Sequence, residues 1–178
     1  MKENIINRVI QVEGGYSNNP DDSGGETMYG ITKRVARRYG YTGKMRNLPK
    51  SLAFEIYEAK YWSPLHLDNI MQESPMIAEE LMDTAINMGI RRAGRFLQRA
   101  LNALNNKGTI YPDCTVDGII GRKTISAFQT YMGRRGKDGV VVMHRMLNSL
   151  QGAYYLKLAE RRQKDETFVY GWFKNRVV

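Results

Sequence analysis

A glutamate at position 13, aspartates at 21 and 22 and a threonine at 27 fall within one short stretch of this 178-residue chain. Glu13 lies seven residues after Ile6, four after Val9 and three after Ile10, which puts its carboxylate on the apolar face of a helix over residues 2–13 and at that helix's C-terminal end. Desolvation and the negative end of the helix macrodipole both oppose a further negative charge there, the setting a general acid requires. The segment from Gly14 to Thr32 carries five glycines and three acids in nineteen residues and must fold back on itself. If its turns return Asp22 and Thr27 to the end of the helix, a carboxyl pair and a hydroxyl surround a cleft. That constellation can protonate a glycosidic oxygen and activate a water. The competing structural readings are a Glu13 that ends a fraying helix or pairs with Arg37 or Arg38, and an Asx-turn role for Asp21 or Asp22.

The elements that must position these groups are mostly helical. Ile5, Ile6, Val9 and Ile10 share one face of the first helix, and Gly14-Gly15 supplies the left-handed geometry that ends it. Residues 16–31, rich in Gly, Asn, Asp and Ser with a short Thr27–Ile31 run, predict turns and a small antiparallel sheet. Thr32 is an N-cap for a short helix to Gly40. Leu52, Ala53, Ile56 and Tyr57 recur at helical spacing up to Trp62, where Pro64 stops them. Ser74-Pro75 opens a third helix through Ile77, Leu81, Ala85 and Met88 to Gly89, with Ser as N-cap and Pro at the first helical position. Phe96, Leu97, Ala100, Leu101 and Leu104 form another apolar stripe, and further helices are expected at about 122–132 and 139–163.

Composition narrows the chemistry. Hydrophobic residues make up 42% of the chain, enough for a core, and no apolar run approaches the ~20 residues needed to cross a bilayer. A single cysteine, Cys114, excludes an internal disulfide, and His66 and His144 assemble no zinc spacing, so neither metal nor cofactor is expected. The net charge of +9 is uneven. Residues 1–90 hold 10 Lys/Arg and 12 Asp/Glu, whereas residues 91–178 hold 17 and 6. The first part, which holds Glu13, reads as a catalytic region and the second as a basic helical region packed against it, suited to a polyanionic partner, whether nucleic acid, a membrane surface or an anionic cell envelope. Gly121-Arg122-Lys123-Thr124 suggests a phosphate loop, but the position that needs the earlier glycine is Val116, which rejects ATP binding.

The run Glu13-Gly14-Gly15-Tyr16, followed by Asn18-Asn19-Pro20-Asp21-Asp22-Ser23-Gly24-Gly25-Glu26-Thr27-Met28-Tyr29-Gly30-Ile31-Thr32, resembles the signature of glycoside hydrolase family 108, N-acetylmuramidases with a lysozyme-like helical fold. The resemblance covers roughly residues 5–90. It implies that Glu13 is the catalytic acid, and by similarity to other phage lysozymes it implies that Asp22 and Thr27 hold the attacking water. Asn19 stands where family members often have Asp, and Ser23 and Glu26 stand where they often have Pro and Ala, which leaves the partner role to Asp21 or Asp22. Residues of about 93–170, with Leu97-Gln98, Val116-Asp117-Gly118-Ile119-Ile120-Gly121 and the ending Tyr170-Gly171-Trp172-Phe173-Lys174-Asn175-Arg176, are similar to the peptidoglycan-binding region that commonly follows this catalytic module.

Aromatic residues have two readings, sugar platform or core. Tyr16, Tyr29 and Trp62 are the candidates for substrate contact, and Asn87, one turn beyond Asp83 on a shared helix face, is a candidate for holding a glycan N-acetyl group. The expected protein is a mainly α, lysozyme-like fold with a small β-hairpin beside the active-site cleft. It would be a monomeric endolysin-type muramidase cutting the β-1,4 bond between N-acetylmuramic acid and N-acetylglucosamine, without nucleic-acid binding or stable membrane insertion. With no signal-peptide pattern in its first residues, it is expected in the host cytoplasm until a holin-like route releases it to the wall. The rivals are a lytic transglycosylase, which uses one glutamate and no water-holding carboxylate, and a non-enzymatic cell-wall or nucleic-acid binding protein, for which no helix-turn-helix or RNA-binding signature is present.

Overall fold

Capping chemistry sets the helix boundaries. In the computed structural model, which describes residues 1–18 and 25–177, Thr32 accepts the Val35 amide at 3.3 Å and Ser74 accepts the Ile77 amide at 3.3 Å, each satisfying a donor that the first helical turn leaves open. The helices they start are α2 (Lys33–Arg38) and α5 (Pro75–Met88), the latter with its proline in the first turn, as the sequence predicts. Helix α1 (Lys2–Val12) buries Ile5, Ile6 and Ile10 and stops at Gly14, whose φ of +82° only glycine adopts readily. Asp21 and Asp22 lie outside the described residues.

The chain forms two units, Met1–Ser63 and Pro64–Val178. In the first, strands β1 (Thr27–Met28) and β2 (Ile31–Thr32) pair antiparallel with Thr27 opposite Thr32 and Met28 opposite Ile31. The loop between them is Tyr29-Gly30, with φ of +55° and +70°, the positive values that a two-residue turn between twisted strands demands. Ser17 adds a bridge to Thr27, donating its amide at 3.0 Å and accepting at 2.8 Å. Helix α3 (Lys50–Tyr57) runs into a π-turn over Glu58–Trp62 and a 3₁₀ turn over Ser63–Leu65, so the single helix expected up to Trp62 changes its winding for its last five residues.

The second unit contains α4 (Leu67–Glu73), α5, α6 (Ile90–Leu104), α7 (Arg122–Arg161) and α8 (Glu166–Arg176). Gly89, at φ +87°, joins α5 to α6. The two helices expected at about 122–132 and 139–163 are the two arms of α7, which meet at a non-helical Gly136 and are tied by the Tyr131 hydroxyl donating to the Gly139 carbonyl at 2.9 Å. Residues 105–121 form turns without a helix or strand, and one side of α6 holds them by side-chain hydrogen bonds. The Gln98 amide donates to Asp117 Oδ1 at 2.9 Å and to the Ile119 carbonyl at 3.0 Å, and its oxygen accepts the Gly118 amide at 2.8 Å. Asn102 exchanges a pair of bonds with the Cys114 backbone at 2.8 and 2.7 Å. Gly94 permits this docking, since a Cβ there would lie 2.4 Å from the Gly118 carbonyl oxygen.

One charged group is buried among these helices. Glu80 is 7% exposed on α5, with the Thr84 hydroxyl donating to it at 3.5 Å and His144 Nε2 of α7 3.7 Å away. Burial, then the neighbouring Asp83 carboxylate, pushes its pKa up to about 7 from an ordinary 4.5, while burial lowers that of His144. A carboxyl whose pKa is higher folded than unfolded holds its proton more tightly in the native state. Its stabilisation is therefore complete below about pH 4.5 and is lost as pH rises through about 7. Glu80→Gln, which mimics the neutral form, should remove this dependence. Between pH 5 and 8 the unfolding free energy of the natural chain, followed by urea denaturation, should fall relative to the variant by on the order of 2 kcal/mol; parallel profiles would contradict it.

Candidate active site

The hairpin tip is pressed onto the end of α1. A Cβ on Gly30 would lie 2.9 Å from Glu13 Oε2, 2.9 Å from the Tyr57 hydroxyl and 3.1 Å from Glu13 Cβ, so only a glycine lets the turn approach this closely. The Tyr57 hydroxyl donates to the Tyr29 carbonyl at 2.9 Å, which fixes the same turn from the side of α3. Burial, then the Glu13 carboxylate, then Tyr61 raise the Tyr57 pKa above the ordinary tyrosine range, so this hydroxyl remains a donor at any physiological pH. The Tyr61 ring stands 5.7 Å from that of Tyr57.

Glu13 occupies the C-cap of α1 in helical conformation, its amide donating to the Val9 carbonyl at 2.9 Å, and its side chain is half-buried. Among the described residues no lysine or arginine pairs with it. Arg37, one of the two partners weighed from the sequence, instead donates to the carbonyls of Tyr41 and Gly43, the latter at 3.0 Å. The geometry thus leaves a carboxyl with no counter-ion at the mouth of the hairpin, beside a tyrosine that stays protonated. Such a group can give a proton to a ligand oxygen.

Thr27 is half-buried in the hairpin that carries the Tyr29-Gly30 tip, its backbone bonded to Ser17. Tyr29 is half-buried in that tip. Tyr16 is half-buried too, donating to Glu26 Oε1 at 3.0 Å, with the Arg46 guanidinium 4.4 Å above its ring. These three stand in the same unit as Glu13. Trp62 corrects the sequence reading: it is 0% exposed, turned into the core by the π-turn, and presents no face on which a sugar could stack. Asn87 belongs to the second unit, where its amide donates to the Asp83 carbonyl at 2.8 Å and to Asp83 Oδ1 at 3.2 Å. Asp83 also receives Arg176 at 2.6 Å and Gln151 at 3.1 Å, a cluster that ties α8 and α7 to α5.

Sequence reasoning passed over Tyr57 and Gly30. The signal for Tyr57 was its place on the buried face of α3, which marks a residue as core and says nothing of a hydroxyl that reaches a turn 28 residues away. Gly30→Ala tests the contact against a matched control, Gly40→Ala, because Gly40 has a similar φ of +81° but open space around it. Both should lose about 1–2 kcal/mol to left-handed strain. Gly30→Ala should lose at least about 1 kcal/mol more, by urea or thermal unfolding, from overlap with Glu13 and Tyr57; equal losses would contradict the contact.

Comparison with known proteins supplies the rest. The family model described as Glycosyl hydrolase 108 matches residues 6–89, and the one described as Predicted Peptidoglycan domain matches residues 92–177. A solved structure, "Structure of Brucella abortus SagA", is similar at 25% sequence identity with a TM-score of 0.68, covering 97% of this chain and 87% of that one. No curated protein matches the chain. The fold is mainly α and lysozyme-like with one small antiparallel hairpin, and a glycosidase module followed by a peptidoglycan domain makes a peptidoglycan-degrading glycosidase. Residues 6–89 are a glycosyl hydrolase 108 module, and a predicted peptidoglycan domain follows on the C-terminal side.

Proposed function

We propose that the chain is a muramidase of the endolysin type, hydrolysing the β-1,4 bond between N-acetylmuramic acid and N-acetylglucosamine. The observation that carries this reading is the Glu13 carboxyl, half-buried against Gly30 and Tyr57 and without a cationic partner among the described residues. Glu13 protonates the glycosidic oxygen as the bond to the muramic carbon breaks. A water held by Asp22, or by Asp21, together with Thr27 attacks that carbon from the opposite face and gives up its proton to the aspartate. In this scheme the anomeric configuration inverts, as in glycosidases whose carboxyls are about 6.5–9.5 Å apart. Tyr16 and Tyr29 flank the sugars. The basic residues 91–178 hold the enzyme near the anionic wall, which it reaches from the host cytoplasm through a holin-like route.

The direct test is Glu13→Gln, which keeps the shape and hydrogen-bonding reach of the side chain and removes the acid. The variant should fold and melt like the natural chain and lose clearing of purified peptidoglycan by at least about a thousandfold, because general-acid catalysis and the associated field together contribute several kcal/mol. More than a tenth of the natural activity in the variant would remove Glu13 from the acid role.

A further inference from the structure

The first 90 residues carry a slight excess of acids, yet four of their cations gather on one cavity. This cavity, of about 290 Å³, lies beside the hairpin in the first unit, and its charged and aromatic lining is Tyr16, Glu26, Lys33, Arg37, Lys44 and Arg46. Among the described residues, one of the four cations forms an ion pair at contact distance. Lys33 Nζ stands 2.8 Å from Glu26 Oε2, and that bond, then the Tyr16 hydroxyl, holds the Glu26 carboxyl below the usual range. Arg37 donates to two backbone carbonyls, and its charge acts on the Glu26 carboxylate more weakly than the Lys33 bond does. Arg46 lies over the Tyr16 ring, and among the described residues neither it nor Lys44 meets a carboxylate.

The segment that presents Lys44 and Arg46 is pinned. Met45 is 1% exposed and Leu48 3%, so apolar anchors fix the backbone on both sides of Arg46. The Tyr41 hydroxyl donates to the Lys44 carbonyl at 2.8 Å, and a Cβ on Gly43 would lie 2.6 Å from that hydroxyl. Four cations around one carboxylate leave an excess of three positive charges beside the Tyr16 ring, which is costly in mutual repulsion and is relieved by an anion.

We propose that this cavity is a carboxylate subsite, taking a carboxylate of the muramyl-peptide part of the substrate and making Lys44 and Arg46 specificity-determining residues. The inference rests on the muramidase reading above. A polymer of N-acetylglucosamine has no carboxylate, whereas a muramic residue offers either its lactyl carboxylate or those of its peptide stem. The subsite therefore distinguishes cell-wall glycan from neutral glycan of the same backbone.

The test is equilibrium binding to the full chain carrying Glu13→Gln, so that ligands are not consumed. Three probes are used: an N-acetylglucosamine pentamer, glycan strands stripped of peptide, and strands with intact stems. Lys44→Gln combined with Arg46→Gln should weaken binding to stem-bearing strands about tenfold and to the neutral pentamer about twofold or less, the scale expected for two exposed charge contacts. Lys44→Arg and Arg46→Lys should stay within about twofold of the parent on every probe. A comparable loss on peptide-free strands shows that the subsite also accepts the lactyl carboxylate freed when the stem is removed, and a loss confined to stem-bearing strands shows that it takes a stem carboxylate alone. Unchanged binding of stem-bearing strands in the double variant, an equal loss on the neutral pentamer, or losses in the charge-preserving variants as large as in the glutamine ones would each overturn the subsite. A natural chain that cleaves walls while these variants bind normally overturns this inference alone; a natural chain that leaves walls intact overturns the muramidase reading.

Discussion

The approach of Gly30 to Glu13 and Tyr57 is the constraint on which the first unit depends. A two-residue turn with positive φ at both positions brings the hairpin tip down, and the absence of a side chain at Gly30 lets it reach the carboxyl at the end of α1. The Tyr57 hydroxyl then holds the Tyr29 carbonyl from α3. Thr32 ends β2 and caps α2, so the hairpin cannot shift register without uncapping that helix. The end of α1, the hairpin, the start of α2 and the end of α3 are thus one joint. A flexible glutamate at a helix terminus acquires a defined position from its neighbours, at the cost of a conformation that one residue type accepts readily.

Polar groups do comparable work in the second unit, with a different result. Gln98 and Asn102, one turn apart on α6, satisfy backbone groups of a long connection at Cys114, Gly118 and Ile119. Asp83 collects Asn87, Gln151 and Arg176, and the buried Glu80 sits beside it. These networks specify how helices and loop lie against one another, and a buried carboxyl near its midpoint at neutral pH makes that specification sensitive to acidity. Here the charged residues serve architecture, whereas the four cations around the first unit's cavity face one carboxylate, that of Glu26.

What was legible in the sequence is what local chemistry decides. Thr32, Ser74-Pro75, Gly14 and Gly89 mark helix ends because each satisfies or breaks backbone hydrogen bonding within a few residues of itself. The hairpin was legible for the same reason, and so was the break between the arms of α7. Trp62 was misassigned because a π-turn, which no simple periodicity announces, rotates it into the core. Helix α8 went unseen because none of its residues is fully buried, so it lacks an apolar stripe; Trp172 stacking on Tyr155 at 4.5 Å is a tertiary contact. The cavity was hidden by arithmetic: its cations come from two short segments, and the net charge of the surrounding region conceals them. Glu13 could be singled out by position on a helix face, but the turn that seats it is formed by residues 29, 30 and 57, which only folding brings together.

The central claim is that Glu13 donates a proton while water, and not the sugar's own hydroxyl, completes the cleavage. Digestion of purified peptidoglycan in oxygen-18 water, with mass analysis of the released fragments, tests it most directly. The account predicts fragments ending in a reducing muramic acid that carries one labelled oxygen. Unlabelled 1,6-anhydro-muramic ends, formed by internal attack without a water, would contradict it and assign the chain to the transglycosylases.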